Sequence, residues 1–148
     1  MKYSEKISKK LNELLEKNYD AEKGYLNAAD NIDSPKLKMF FKKRASERSE
    51  FAKNIRTEIL SYGQIPEEDG SIKGTMHRNW MSLKSLFSSN DEEAILEEAI
   101  RGEKASLDEY SEILKEDAFA PSTRTMLENQ KHQIQSAINS LMVEEELA

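Results

Sequence analysis

The chain contains no cysteine, which excludes a disulfide framework, a thiolate metal site and a cysteine nucleophile together. Breakers are scarce as well, with 5 Gly and 3 Pro in 148 residues. A basic excess is missing: the net charge is −6 and the pI is near 5.1. Nucleic acid is therefore disfavoured as a partner, because a phosphate backbone needs a basic face. No apolar run approaches the ~20 residues of a membrane span. The first residues, Met1-Lys2-Tyr3-Ser4-Glu5-Lys6, turn polar and helical at once. That start does not read as a signal peptide, so a cytoplasmic protein is expected. A glycine-rich phosphate loop, a nucleophile elbow and zinc-ligand spacing are all lacking.

What remains is a chain rich in Glu, Lys, Leu and Ala, 34% charged and 37% hydrophobic. Such a balance belongs to long amphipathic helices. The length suits one domain, residues 1–148, with a real core. A first helix, about 4–31, takes Ser4 as its cap and places Ile7, Leu11, Leu14, Leu15, Tyr25, Leu26 and Ala29 on one broad face. Asn18 and Glu22 fall near the middle of that face. Asp33-Ser34-Pro35 stops it and starts a second helix, about 35–62, with Ser34 as cap and Gly63 just past the far end. This second face holds Leu37, Phe40, Phe41, Phe51, Ile55 and Ile59. Arg44 and Arg48 lie within it, Glu47 at its margin, and Glu50 further round.

A connection from Gln64 carries Pro66 and Gly70, then Met76, Trp80, Leu83 and Phe87 at helical spacing, which predicts a short helix over about 75–87. His77 lies off that stripe and Trp80 reads as a lid over the core. Asn90 with Glu93 forms a capping-box-like pair ahead of a helix over about 91–117. Ile95, Leu96, Ala99, Ile100, Leu107 and Tyr110 share its face, with Glu103 near the centre. Pro121 opens the last helix, about 121–145, whose stripe of Leu127, Ile134, Ala137, Ile138 and Leu141 includes Gln130. His132 points away from that stripe. The end, Glu144-Glu145-Glu146, is expected to fray, since acidic charge sits badly at a helix C-terminus.

Two halves thus share one plan, a long helix, a proline-initiated break and a second long helix, with a mid-stripe glutamate in each half (Glu22 and Glu103). The longest link joins the second and third long helices and is the natural crossover of a four-helix bundle.

Several stretches carry a resemblance: Tyr19-Asp20-Ala21-Glu22-Lys23-Gly24-Tyr25, Arg48-Ser49-Glu50-Phe51-Ala52, Gly70-Ser71-Ile72-Lys73-Gly74 with His77-Arg78-Asn79-Trp80-Met81, and Glu92-Glu93-Ala94-Ile95. Together they resemble an uncharacterised bacterial family of ferritin-like four-helix-bundle proteins, a domain of unknown function distantly similar to rubrerythrins and bacterioferritins. The resemblance spans roughly residues 5 to 142. It implies an all-α ferritin-like bundle with a long crossover, and no particular activity. Relatives by fold are often tied to stress or metal handling, an analogy from fold.

A di-iron carboxylate bundle needs one Glu from each of two helices and a Glu-x-x-His from each of the other two. Glu22 and Glu103 match the lone glutamates. The second helix offers Glu47-Arg48-Ser49-Glu50, a carboxylate where the imidazole belongs, and the last offers Asn129-Gln130-Lys131-His132, with no Glu three residues before the His. Glu22, Glu50 and Glu103, with Gln130 as a fourth ligand, would make at most a weak iron or manganese site. The preferred reading is a salt-bridged polar core of Glu22, Arg44, Arg48, Glu103 and Gln130, with Arg48 neutralising both glutamates. Arg suits a buried carboxylate through its forked geometry, and its charge repels a metal cation. The expected function is a non-catalytic binding or assembly module; the alternative is a metal-binding bundle with storage or oxidase-like activity. Self-association is expected, with a two-fold dimer as the default, supported by Tyr3, Tyr19 and Met81 as surplus apolar residues.

Overall fold

Ser34 and Pro35 show how closely the helix ends follow local chemistry. The Ser34 hydroxyl accepts the backbone N–H of Leu37 at 3.3 Å, and Pro35 sits at the first helical position, where its missing N–H costs nothing. In the computed structural model, which describes residues 3–68 and 91–147, four helices are laid out around such stops. They are α1 (Tyr3–Asn31), α2 (Pro35–Ser61), α3 (Glu92–Ile113) and α4 (Pro121–Leu147). The architecture is all-α. No described helix is long and apolar enough to cross a membrane.

Four details differ from the sequence reading. Ser4 is not a cap, because α1 is already under way at Tyr3. Asp91 rather than Asn90 caps α3, its carboxylate accepting the Ala94 N–H at 3.1 Å. α3 stops at Ile113 instead of about 117, and Arg124 donates to the carbonyls of Leu114 and Glu116 just beyond its end. α4 continues to Leu147 despite its acidic end. There Lys36 meets Glu144 at 3.4 Å, which relieves part of the charge. The predicted short helix, with His77, Trp80 and Met81, lies outside the described residues.

The ends establish the topology. Tyr3 at the start of α1 donates to the carbonyl of Ala118 just past α3, so α1 and α3 are antiparallel. Tyr62 at the end of α2 meets Thr123 at the start of α4 at 2.8 Å, so α2 and α4 are antiparallel too. Hence α2 and α3 run the same way, and the link between them joins opposite ends of the bundle. That is the ferritin-like connection. Gly63 turns the chain out of α2 with φ of 77°, a left-handed conformation that glycine adopts without a Cβ penalty.

Apolar packing falls into two clusters. One gathers Ala21, Tyr25, Ala28, Phe41, Ile95 and Leu96 toward the α1–α2 turn. The other gathers Ile7, Leu11, Leu15, Phe51, Ile55 and Leu127 toward the opposite end. Asn18, Arg48, Glu103 and Gln130, all buried, lie between them along the helices. Tyr19, expected as a surface residue, is buried instead: Arg56 donates to its hydroxyl at 3.1 Å and the hydroxyl reaches the carbonyl of Glu67.

Candidate functional site

On α1, Asn18 and Tyr25 are seven residues apart, two turns along the inward face. On α3, Glu103 and Tyr110 have the same separation. Because these helices are antiparallel, seven steps forward on one match seven steps back on the other. Tyr25 therefore meets Glu103 while Asn18 meets Tyr110. The Tyr25 hydroxyl donates to Oε2 of Glu103, and Nδ2 of Asn18 donates to the Tyr110 hydroxyl at 3.0 Å.

The other two helices close the circuit. Arg48 of α2 donates from Nη2 to Oε1 of Glu103 at 2.5 Å and from Nη1 to Oδ1 of Asn18 at 2.8 Å. Its guanidinium also lies 5.8 Å from the centre of the Phe51 ring. The Tyr110 hydroxyl donates to Oε1 of Gln130 on α4 at 2.6 Å, and Gln130 donates back to the Phe51 carbonyl on α2 at 3.3 Å. The remaining Asn18 N–H goes to the Leu14 carbonyl at 2.9 Å. A single hydrogen-bonded chain thus runs through all four helices, and both oxygens of Glu103 are engaged. Arg48 and Glu103 are each 1% exposed.

Burial at that level would be costly for either charge alone and is tolerable for a hydrogen-bonded pair. It opposes the charged form of Arg48, but Glu103 and the two phenols outweigh it and hold the guanidinium above its ordinary value. The Tyr110 phenol is pushed up to about 12 by burial, against the lowering effects of Arg48 and Asn18. Tyr25 is pushed well above the usual phenol range, first by burial and then by the Glu103 carboxylate. Both tyrosines remain protonated donors at neutral pH, aimed at Glu103 and Gln130. The chemistry of the network is charge neutralisation and alignment.

The residues singled out from sequence separate into two groups. Arg48, Glu103 and Gln130 come together in this chain. Glu22 is half-buried toward the edge of the inward face, while Asn18 and Tyr25 occupy the middle. Arg44 is buried but bonds Glu47 on its own helix, at 3.3 Å. Glu50 is exposed, because two residues beyond Arg48 is about 200° round the helix. Glu47, half-buried, is raised above the ordinary carboxylate value by burial, partly offset by Arg44 and reinforced by Glu103. His132 is exposed, as its position off the α4 stripe implies. Among the described residues, no group of three or more His, Cys, Asp or Glu side chains is placed to hold a metal ion. The carboxylate set Glu22, Glu50 and Glu103 therefore does not converge, and the Glu103 position faces a guanidinium.

Asn18, Tyr25 and Tyr110 were legible only as members of apolar stripes. The signal that marks them is chemical: a buried phenol or amide needs a partner. Three such groups level with a mid-helix Arg and Glu form a network by necessity.

Residues 6–116 match the model of a family described as Domain of unknown function (DUF2383). No curated protein matches the chain. Among solved structures, the chain is similar to a dodecameric thioferritin, the bacterioferritin-related protein from Bacteroides fragilis, with a TM-score of 0.71 and 14% identity. That similarity covers 95% of this chain and 86% of the other. At such low identity it establishes the ferritin-like fold and nothing finer.

Proposed function

The chain belongs to the family described as Domain of unknown function (DUF2383), and from that premise we propose that it works as a non-catalytic binding or assembly module with a salt-bridged core. The observation that carries this reading is the Arg48–Glu103 pair at 2.5 Å, buried where all four helices meet. A fixed positive charge at that position opposes a metal cation in the same space. All of the network's hydrogen bonds but Asn18 to Leu14 join one helix to another. Such a pair adds little net stability over apolar packing; what it contributes is register, because shifting one helix breaks several buried bonds at once.

The module associates with itself in this reading. Its fold neighbour is described as dodecameric, and this chain exposes large apolar side chains at both ends of the bundle, Met39 and Val143 at one and Leu60 and Ile65 at the other. A two-fold dimer is the simplest closed form. Elemental analysis of protein purified without chelator tests the core assignment, and light scattering tests association. Stoichiometric iron, manganese or zinc would overturn the first in favour of a carboxylate metal site. A monomer at high concentration would overturn the second.

A further inference from the structure

The bundle has a second polar feature, on the outer side of α2. Between α2 and α4 lies a cavity of about 350 Å³, at the small end of the range that holds ligands. Lys43, Arg44, Glu47 and Glu50 line it from α2, with Asn54 further along and Gln133 facing them from α4. The buried core network does not explain this lining, since four charged side chains gather at one groove.

Their order along the helix is informative. The two cations come first and the two carboxylates follow within two turns, so the groove is positive at one end and negative at the other, with formal charges that cancel. A simple anion or cation would gain at one end and lose at the other. A molecule carrying both charges matches both. Arg44 has donor capacity left for it: the residue is 9% exposed, and its buried Nε–H has no hydrogen-bond partner, although Nη1 bonds Glu47. An orphaned guanidinium donor favours an incoming carboxylate. Six residues separate Arg44 from Glu50, about 9 Å of helix, so the two ligand charges must be several methylenes apart.

We propose that the α2–α4 groove binds a small aliphatic zwitterion of the ω-amino acid type, its carboxylate at Lys43 and Arg44 and its ammonium at Glu50. The inference stands apart from the Arg48–Glu103 reading, and either can fail alone. The probe is 6-aminohexanoate, titrated into uniformly labelled protein and followed by amide chemical shifts, with hexanoate and hexylamine as its two halves. Saturable shifts along 43–54 and around Gln133 are expected, with affinity at least about tenfold above either half. Glu50→Gln should reduce binding to the level of hexanoate, and Lys43→Gln should weaken it comparably. Both positions are exposed, so circular dichroism and melting should match the parent and show that the losses are local. Equal binding of the halves and the whole, unchanged binding by both variants, or no saturation would each overturn the proposal.

Discussion

Replacing Arg48 by Met leaves a methionine of comparable reach in a site built for a guanidinium. Glu103 then keeps the Tyr25 hydroxyl donating to its carboxylate but loses the guanidinium, and Oδ1 of Asn18 loses the Arg48 donor. Removing one member of a buried pair costs roughly 3–5 kcal/mol, chiefly through the stranded charge. Against a typical total of about 5–15 kcal/mol, that is a large share of the fold's stability. At this chain length it corresponds to a fall in Tm of roughly 10 °C. Glu103→Leu alone should cost a similar amount, since it strands Arg48 instead. The double variant Arg48→Met/Glu103→Leu removes both charges and leaves two neutral groups short of a bond, the Tyr25 hydroxyl and Oδ1 of Asn18, so about 2–4 kcal/mol is expected. The mark of the pair is therefore non-additivity: the double variant is no worse than either single and well below their sum. Urea unfolding at neutral pH, followed by circular dichroism for all four proteins, measures it. A loss under about 1 kcal/mol for Arg48→Met, or a double variant equal to the sum of the singles, would refute the reasoning. So would a mild loss accompanied by a large rise in Tm when iron or manganese is added to Arg48→Met, because that would identify Arg48 as a competitor of a metal.

The two buried phenols predict alkaline behaviour. Their folded values lie above the unfolded value near 10, so the folded state holds more protons there and stability falls as pH rises. Their contribution is complete below about pH 10, and the Tyr110 part is lost as the pH climbs toward about 12. Ultraviolet titration of tyrosinate should show a late phase that shrinks in Tyr110→Phe and Tyr25→Phe; native titration of every tyrosine near pH 10 would contradict the burial. At Gly63, a Cβ would meet nothing within 4 Å, so Gly63→Ala isolates the backbone cost of φ at 77°. A loss of about 1–2 kcal/mol is expected in urea unfolding, with Gly63→Asn milder, and an unchanged midpoint for Gly63→Ala would disprove the strain.

The sequence alone determined the four described helices and several of their stops. Apolar residues recurring at helical spacing, Ser34-Pro35 and Pro121 acting as starts, and Gly63 closing α2 are local effects, decided within a turn or two of the residue concerned. The single long link between α2 and α3 likewise implied the bundle's connection, because short loops force neighbours. The polar core was only half legible. A glutamate or arginine in mid-stripe announces that a partner is needed, which placed Arg48, Glu103 and Gln130 in one set. It does not say which partner, because that depends on the register between helices far apart in the chain. Tertiary packing made that choice: antiparallel α1 and α3 brought Tyr25 onto Glu103 and Asn18 onto Tyr110, left Glu22 at the edge, and turned Arg44 to Glu47 on its own helix. About 60° of helix rotation separates Glu22 from Tyr25 as the core neighbour of Glu103, and periodicity fixes a face only to within a broad arc. The hydrogen bonds and the cost of burying an unpaired charge resolve what that arc leaves open.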